Sequence, residues 1–307
     1  MTDASVRSVP SATAAADPLA RIAALPDVPD AVLSARAAVD RLLGHRILRR
    51  RGAAVSAESA LRGARASAAL EGRAFGLRDV RAGAVTDPIV QGALRVSAET
   101  GMLAETWRQA PRQVLARLHV LAAADVVEAA RLGRPRAADQ DATATGAPTT
   151  VPTTGPTTVP TTDTGTNAAA AALDAALGLG PPPAPGDVAV RLDAMFDLLM
   201  RDTEASAIVV GAIVHAELLS LRPFGRCDGI VARAAQRVTF IARGLDPKSL
   251  VAPDVGHAEL GDAYAEALRG YVAGTPAGVA GWVRHCANAV SVAARDSLAF
   301  CEALNRG

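Results

Sequence analysis

Apolar positions return at helical spacing along most of this chain. Between Ala31 and Arg50 the residues Val32, Val39, Leu42, Leu43 and Ile47 recur in that way, and basic residues gather at the end, where a helix dipole favours them. A second helical block is predicted over Ser56 to Leu70, breaking at Gly72. A third runs from Pro88 to Trp107, and a fourth from Pro111 to Leu132, stopped by Gly133 and Pro135. The pattern resumes at Asp187, where Val188, Leu192, Met195, Phe196 and Leu199 share one face. Ala205 to Leu219 is apolar nearly all round, which marks a helix at the centre of a bundle. Another helix is expected from Ile230 to Arg243, closed by Gly244. The last spans Val279 to Leu304, and its stripe is small at Ala293 and Ser297, suited to close approach by a neighbour. No strand pattern is strong anywhere.

Two stretches break the pattern. Residues 1 to 28 lack periodicity and carry Pro10, Pro18 and Pro26, so they are read as a mobile lead-in. Between Asp139 and Asn167 the chain is almost entirely Thr, Pro, Ala and Gly, and Pro148–Thr154 (PTTVPTT) repeats at Pro156–Thr162. Such sequence cannot offset its ordering entropy, so a semi-extended tether over 139–186 is expected, an insertion tolerated in a surface loop. A short alanine-rich helix is expected within it, before Pro181, Pro182 and Pro183. The blocks on either side, 29–138 and 187–307, are read as one domain.

Composition narrows the class. The 307 residues include 70 alanines but 9 aromatics, and 31 arginines against the single lysine Lys248. Helix formers are enriched and sheet formers depleted, which points to an all-α protein. A formal net charge of +1 gives no pull towards nucleic acid or an anionic membrane. The scarcity of aromatics argues against a base-stacking surface. Cys227, Cys286 and Cys301 show no metal-type spacing, and Cys286 and Cys301 fall on the apolar stripe of the last helix, as buried hydrophobes do. No signal peptide is recognisable, and the longest apolar run, Ala207 to Val214, falls short of the ~20 residues that span a bilayer. A soluble protein of a reducing bacterial cytoplasm is the expectation. His45, His119, His257 and His285 have no ligand spacing, so no metal is assigned.

The segment Val214 to Gly244 carries the candidate chemistry. It reads as a buried helix, a glycine-bearing turn, and a second helix whose N-terminus faces that turn. Free N–H groups and a partial positive charge make such a place an anion site. Arg222, Arg226 and Arg233 add donors suited to phosphate. An ordinary helix connection with surface arginines is the competing reading.

The same segment resembles the signature of the Fic family, which has the Fido fold: H-P-F-x-[DE]-G-N-G-R-x-x-R, preceded by a histidine seven residues upstream. Here the motif falls on Arg222, Pro223, Phe224, Gly225, Arg226, Cys227, Asp228, Gly229, Ile230, Val231, Ala232 and Arg233, with His215 at the upstream position. A second, independent match is Ser67-Ala68-Ala69-Leu70-Glu71-Gly72, which is similar to the family's inhibitory helix, [ST]-x-x-x-E-[GN]. Leu118-His119 and the Pro-Pro-Pro followed by a helix add diffuse similarity. The resemblance implies a Fido-like helical bundle over roughly residues 35 to 300, the tether excluded.

It also implies an activity: transfer of AMP from ATP, with Mg2+, onto a hydroxyl of a target protein. The departures bear directly on that chemistry. Arg222 stands at the general-base histidine, and a guanidinium keeps its proton near pH 7. Arg226 stands at the acidic magnesium ligand and would repel the ion. Cys227-Asp228 replaces the Gly-Asn pair, and Ile230 replaces the arginine that grips the terminal phosphate and receives the inhibitory glutamate. Pro223, Phe224, Gly229 and Arg233 remain. Glu71 then pairs with Arg233, Arg226 or Arg222, or is a plain helix-surface carboxylate. The family's β-hairpin flap, which aligns targets by strand addition, is replaced by the Thr/Pro stretch. His215 is read as a hydrogen-bonded core histidine or as a support for the loop.

Two functions follow. The first is a catalytically impaired Fic-type protein that binds a phosphate-containing ligand, a nucleotide or a partner protein. The second is an active transferase moving AMP, or another phosphate-containing group, from a nucleotide such as ATP with Mg2+ onto a target hydroxyl; for the latter Asp228 is the weak candidate base, which Arg222 and Arg226 would keep ionised.

Overall fold

A computed structural model describes residues 17–137 and 177–306. Among them every regular element is a helix. The helices are α1 (Pro18–Ala23), α2 (Val28–Leu43), α3 (Leu48–Leu70), α4 (Leu77–Arg81), α5 (Pro88–Glu99), α6 (Ala104–Gln109), α7 (Pro111–Ala123), α8 (Pro185–Leu199), α9 (Ala207–Leu221), α10 (Asp228–Ala242), α11 (Pro253–Glu259), α12 (Asp262–Val272) and α13 (Pro276–Arg306), with a 3₁₀ turn at Ala129–Arg131.

Proline and short polar side chains set the helix starts. Pro18, Pro88, Pro111, Pro185 and Pro253 begin helices, where the missing N–H costs nothing. Asp17, Asp87 and Ser206 cap α1, α5 and α9 by accepting hydrogen bonds from first-turn N–H groups. The third sequence block divides into α5 and α6, and the fourth ends at Ala123 rather than Leu132. Nothing in the apolar spacing marks either break.

At the centre α9 lies along α10, and nearly every residue of both helices is buried. The 31-residue α13 touches α9 and packs on α2, α11 and α12. On the other flank α3, α5 and α7 pack in succession, α7 reaches α10, and α3 itself touches α10. Small residues let backbones touch. A Cβ on Gly256 of α11 would clash with the Ala289 carbonyl of α13, beside the small stripe that continues to Ala293 and Ser297.

Two boundaries differ from the sequence reading. The lead-in does not extend to residue 28: Leu19 and Val28 are buried, and Asp17 accepts a 2.7 Å hydrogen bond from the Thr203 hydroxyl. The capped helix start at Pro18 was hidden by its proline. The tether does not extend to 186 either, since Leu177 is buried and α8 starts at Pro185. Residues 138–176, with the PTTVPTT repeat and most of the alanine-rich segment, lie outside the described residues, as do 1–16. No described helix is long and apolar enough to cross a membrane.

Candidate functional site

The loop between α9 and α10 is built from left-handed residues. Arg222 ends α9 at φ 44, Gly225 follows at φ +71, and Cys227 precedes α10 at φ 57. Two of the three carry a Cβ, and each such conformation costs about 1–2 kcal/mol, so surrounding groups must hold the turn. Arg136 is the principal one. Its backbone N–H donates to the Pro223 carbonyl at 2.7 Å, and its guanidinium donates to the carbonyls of Arg222 (3.1 Å) and Pro183 (2.9 Å). Beneath the loop, the rings of Phe224 and His119 stack with centroids 4.0 Å apart and planes 6° from parallel. The Gly133 N–H donates to His119 Nδ1 at 2.9 Å and fixes that ring. Burial, seconded by Arg131, lowers the His119 pKa to about 4, so the imidazole is neutral at pH 7.

Above the loop, the segment after residue 176 covers it. Arg222 donates from Nη1 to the Gly180 carbonyl at 2.8 Å, and its side chain is buried. The residue at the family's base position therefore fastens this segment to the turn. Arg226, at the metal-ligand position, is half-buried.

The N–H groups of the loop find a partner within the chain. Asp228, the first residue of α10, accepts a 2.9 Å hydrogen bond at Oδ1 from the Phe224 N–H and a further one from the Gly225 N–H. These are donors that a bound phosphate would use at such a helix start. Asp228 is 5% exposed, and burial, with Glu71 adding to it, pushes its pKa up to about 8 against the pull of Arg136 and the two N–H groups. The expectation that Arg222 and Arg226 keep it ionised is therefore overturned: desolvation outweighs nearby positive charge.

Glu71 finds Arg233. The Arg233 guanidinium is fully buried and donates to Glu71 Oε1 (2.6 Å), the Ser67 hydroxyl (2.9 Å) and the Ser67 carbonyl (3.0 Å), with an Asp254 carboxylate at 3.5 Å. Both sequence matches thus meet in one contact between α3 and α10, and the plain surface carboxylate is ruled out. Gly72, at φ 79, ends α3 one residue beyond Glu71. Against the pull of burial, Tyr264 and then the carboxylates of Glu71 and Asp254 hold the Arg233 pKa above its ordinary range.

Among the sequence candidates, Pro223, Phe224 and Gly229 are buried in the loop and the first turn of α10. His215 stands apart from them. It lies about two helical turns before Arg222, and its partners are Tyr264, His257 and Trp282 on α12, α11 and α13. It is a core histidine that joins α9 to the C-terminal helices, not a loop support. Sequence reasoning missed Arg136, whose only mark is its place beside Pro135 at the edge of the low-complexity stretch. It also missed Asp254, a lone acid on a short helix. Cys227 is buried, with Sγ 3.7 Å from the Ala122 carbonyl, and burial raises its thiol pKa far above neutrality. The region of the family's flap lies outside the described residues.

No protein-family model and no curated protein matches the chain in sequence. Among solved structures, a Fic family protein from Desulfovibrio desulfuricans G20 superposes with a TM-score of 0.62 at 18% identity, over 88% of this chain and 74% of that one. The chain therefore has the fold of a Fic family protein, the all-helical architecture implied by its two motif matches.

Proposed function

We propose that this chain is a catalytically silent Fic-type protein that works by binding a partner protein. The observation that carries the reading is Asp228: its carboxyl occupies the N–H groups of the motif loop that a nucleotide phosphate would need. Three further features support it. Arg222 cannot accept a proton and is buried under the Gly180 carbonyl. Arg226 brings positive charge to the position where the family holds magnesium. Arg233 is sealed by Ser67 and Glu71. For a partner, the open feature beside the loop is an apolar cavity of about 270 Å3 between α7 and α8, with Phe224, Leu115, Leu192 and Phe196 in its wall and Arg112 and Asp193 among its polar residues.

The experiment is incubation of the full chain with labelled ATP and Mg2+, alone and in lysate, for wild type, Glu71→Gly and Asp228→Ala. The expected outcome is no label transfer by any of them and no thermal shift with ATP or inorganic phosphate. A ligand at about 100 times its Kd would stabilise by about 2.7 kcal/mol, so binding in the cradle would be plain. One observation favours a second reading, an active transferase moving AMP onto a target hydroxyl. A carboxyl titrating near 8 is a stronger base than an ordinary aspartate. Label transfer by wild type that is lost in Asp228→Ala would establish that reading and sink the first.

A further inference from the structure

Away from the motif loop, a second polar cluster is sealed in the core. His215 of α9, His257 of α11 and Cys286 of α13 are each fully buried. One ligand atom from each lies within 4.8 Å of the other two. The outer ring nitrogens are already held. His215 Nε2 is hydrogen-bonded to the Tyr264 hydroxyl at 2.9 Å, and His257 Nδ1 to His285 Nε2 at 3.0 Å. Fixing the far nitrogen in this way is how proteins orient metal-ligating imidazoles. The inner nitrogen of His215, Nδ1, is buried and makes no well-formed hydrogen bond; the Gln236 amide is the group that faces it. A buried polar atom left so costs stability, and this one stands in a cluster that already offers a thiol and a second imidazole.

We propose that His215 Nδ1, His257 Nε2 and Cys286 Sγ bind one Zn2+ ion, which ties α9, α11 and α13 together. One thiolate and two neutral imidazoles form a donor set that suits zinc. The amide oxygen of Gln236 is hydrogen-bonded to His257 Nε2 at 3.1 Å and would shift to the fourth position as the ion takes that nitrogen. Tetrahedral coordination with Zn–N about 2.0–2.1 Å and Zn–S about 2.3 Å places ligand atoms about 3.3–3.6 Å apart. An edge of 4.8 Å therefore closes by about 1.2–1.5 Å on binding. On binding, Cys286 gives up its thiol proton to solvent and the sulfur–zinc bond replaces the S–H bond, leaving the centre with one net positive charge. The nearby Arg233 cation is offset by Glu71 and Asp254, 2.6 and 3.5 Å from its guanidinium. His285 supplies a route for the ion inward and the proton outward. It is hydrogen-bonded to His257 and lines a surface depression of about 650 Å3 beside α12.

The test uses the full chain without a histidine tag, purified without chelators. Elemental analysis should find about one zinc per chain, falling to near zero in Cys286→Ser. Because that variant could lose its fold, the wild type is also stripped with a chelator and reloaded with Co2+. A thiolate-to-cobalt charge-transfer band with tetrahedral d–d absorption is expected. Metal-free wild type that takes up cobalt with no such spectrum overturns the proposal. So does a folded Cys286→Ser chain that keeps its zinc.

Discussion

Replacing Asp228 with asparagine separates burial from the surrounding arginines as the force that sets this carboxyl. In the unfolded chain the group ionises near 3.8, and in the folded chain it is pushed up to about 8. Between those values the unfolded chain has lost the proton and the folded chain keeps it. Folding therefore becomes less favourable as pH rises, by about 1.4 kcal/mol for each pH unit. The stability associated with the protonated carboxyl is complete below about pH 4 and is lost progressively up to about pH 8. At pH 7 the loss amounts to about 4 kcal/mol, an upper bound set by full desolvation. Asp228→Asn keeps an oxygen to accept from the Phe224 N–H and removes the ionisation. Urea unfolding of both chains at pH 5, 6, 7 and 8 measures the difference, and the titrations they share cancel. The variant should gain on the wild type by nearly 3 kcal/mol between pH 5 and 7, by about 1 kcal/mol more up to pH 8, and level off above that. A difference that stays constant across this range would refute the reasoning, because it would mean that the arginines hold the carboxylate ionised in the fold.

The other perturbations act on packing and the turn. Glu71→Ala strips the closest carboxylate from the buried Arg233 guanidinium, which costs about 3–5 kcal/mol for such a pair. With Asp254 still 3.5 Å away the lower end is expected, and a urea midpoint change worth less than 1 kcal/mol would show the pair to be energetically idle. Gly256→Ala forces a methyl onto the Ala289 carbonyl, so overpacking of about 1–3 kcal/mol should outweigh the ~1 kcal/mol gain in helix propensity. A rise in Tm would contradict that. Gly225→Ala places a Cβ at φ +71 and 3.1 Å from Arg136 Cδ, costing about 1–2 kcal/mol. A calorimetric fall of about 2–4 °C per kcal/mol is the readout.

Much of the fold is written in local signals, and the places where it is not have identifiable causes. The α9 segment announces itself because an all-round apolar helix has nowhere to go but the centre. The α5–α6 break at Thr100 and Gly101 does not, since the apolar spacing runs through it. The early start of order at Asp17 is hard to see because Pro18 counts among the prolines of a stretch without periodicity, yet proline at a first helical position is a starter. The covering of the loop by Gly180 and Pro183 rests on carbonyl oxygens, which no residue identity reveals.

The same division runs through the candidate site. Glu71 and Arg233 stand 162 positions apart, and only the two motif matches joined them before the geometry did. Charge counting around Asp228 pointed the wrong way. Arg222 and Arg226 are its neighbours in sequence, yet Arg222 turns its guanidinium to Gly180, while Phe224, Gly225, Arg136 and Glu71 set the environment of the carboxyl. Sequence proximity is a poor guide to electrostatics in a turn with three left-handed residues, because successive side chains leave it in different directions. The histidines make the complementary point. His215, His257 and Cys286 have no metal spacing along the chain because three different helices deliver them. A site assembled by crossing helices is legible only once the crossings are known, whereas a site on one turn, such as Phe224 to Asp228, can be read from the turn alone.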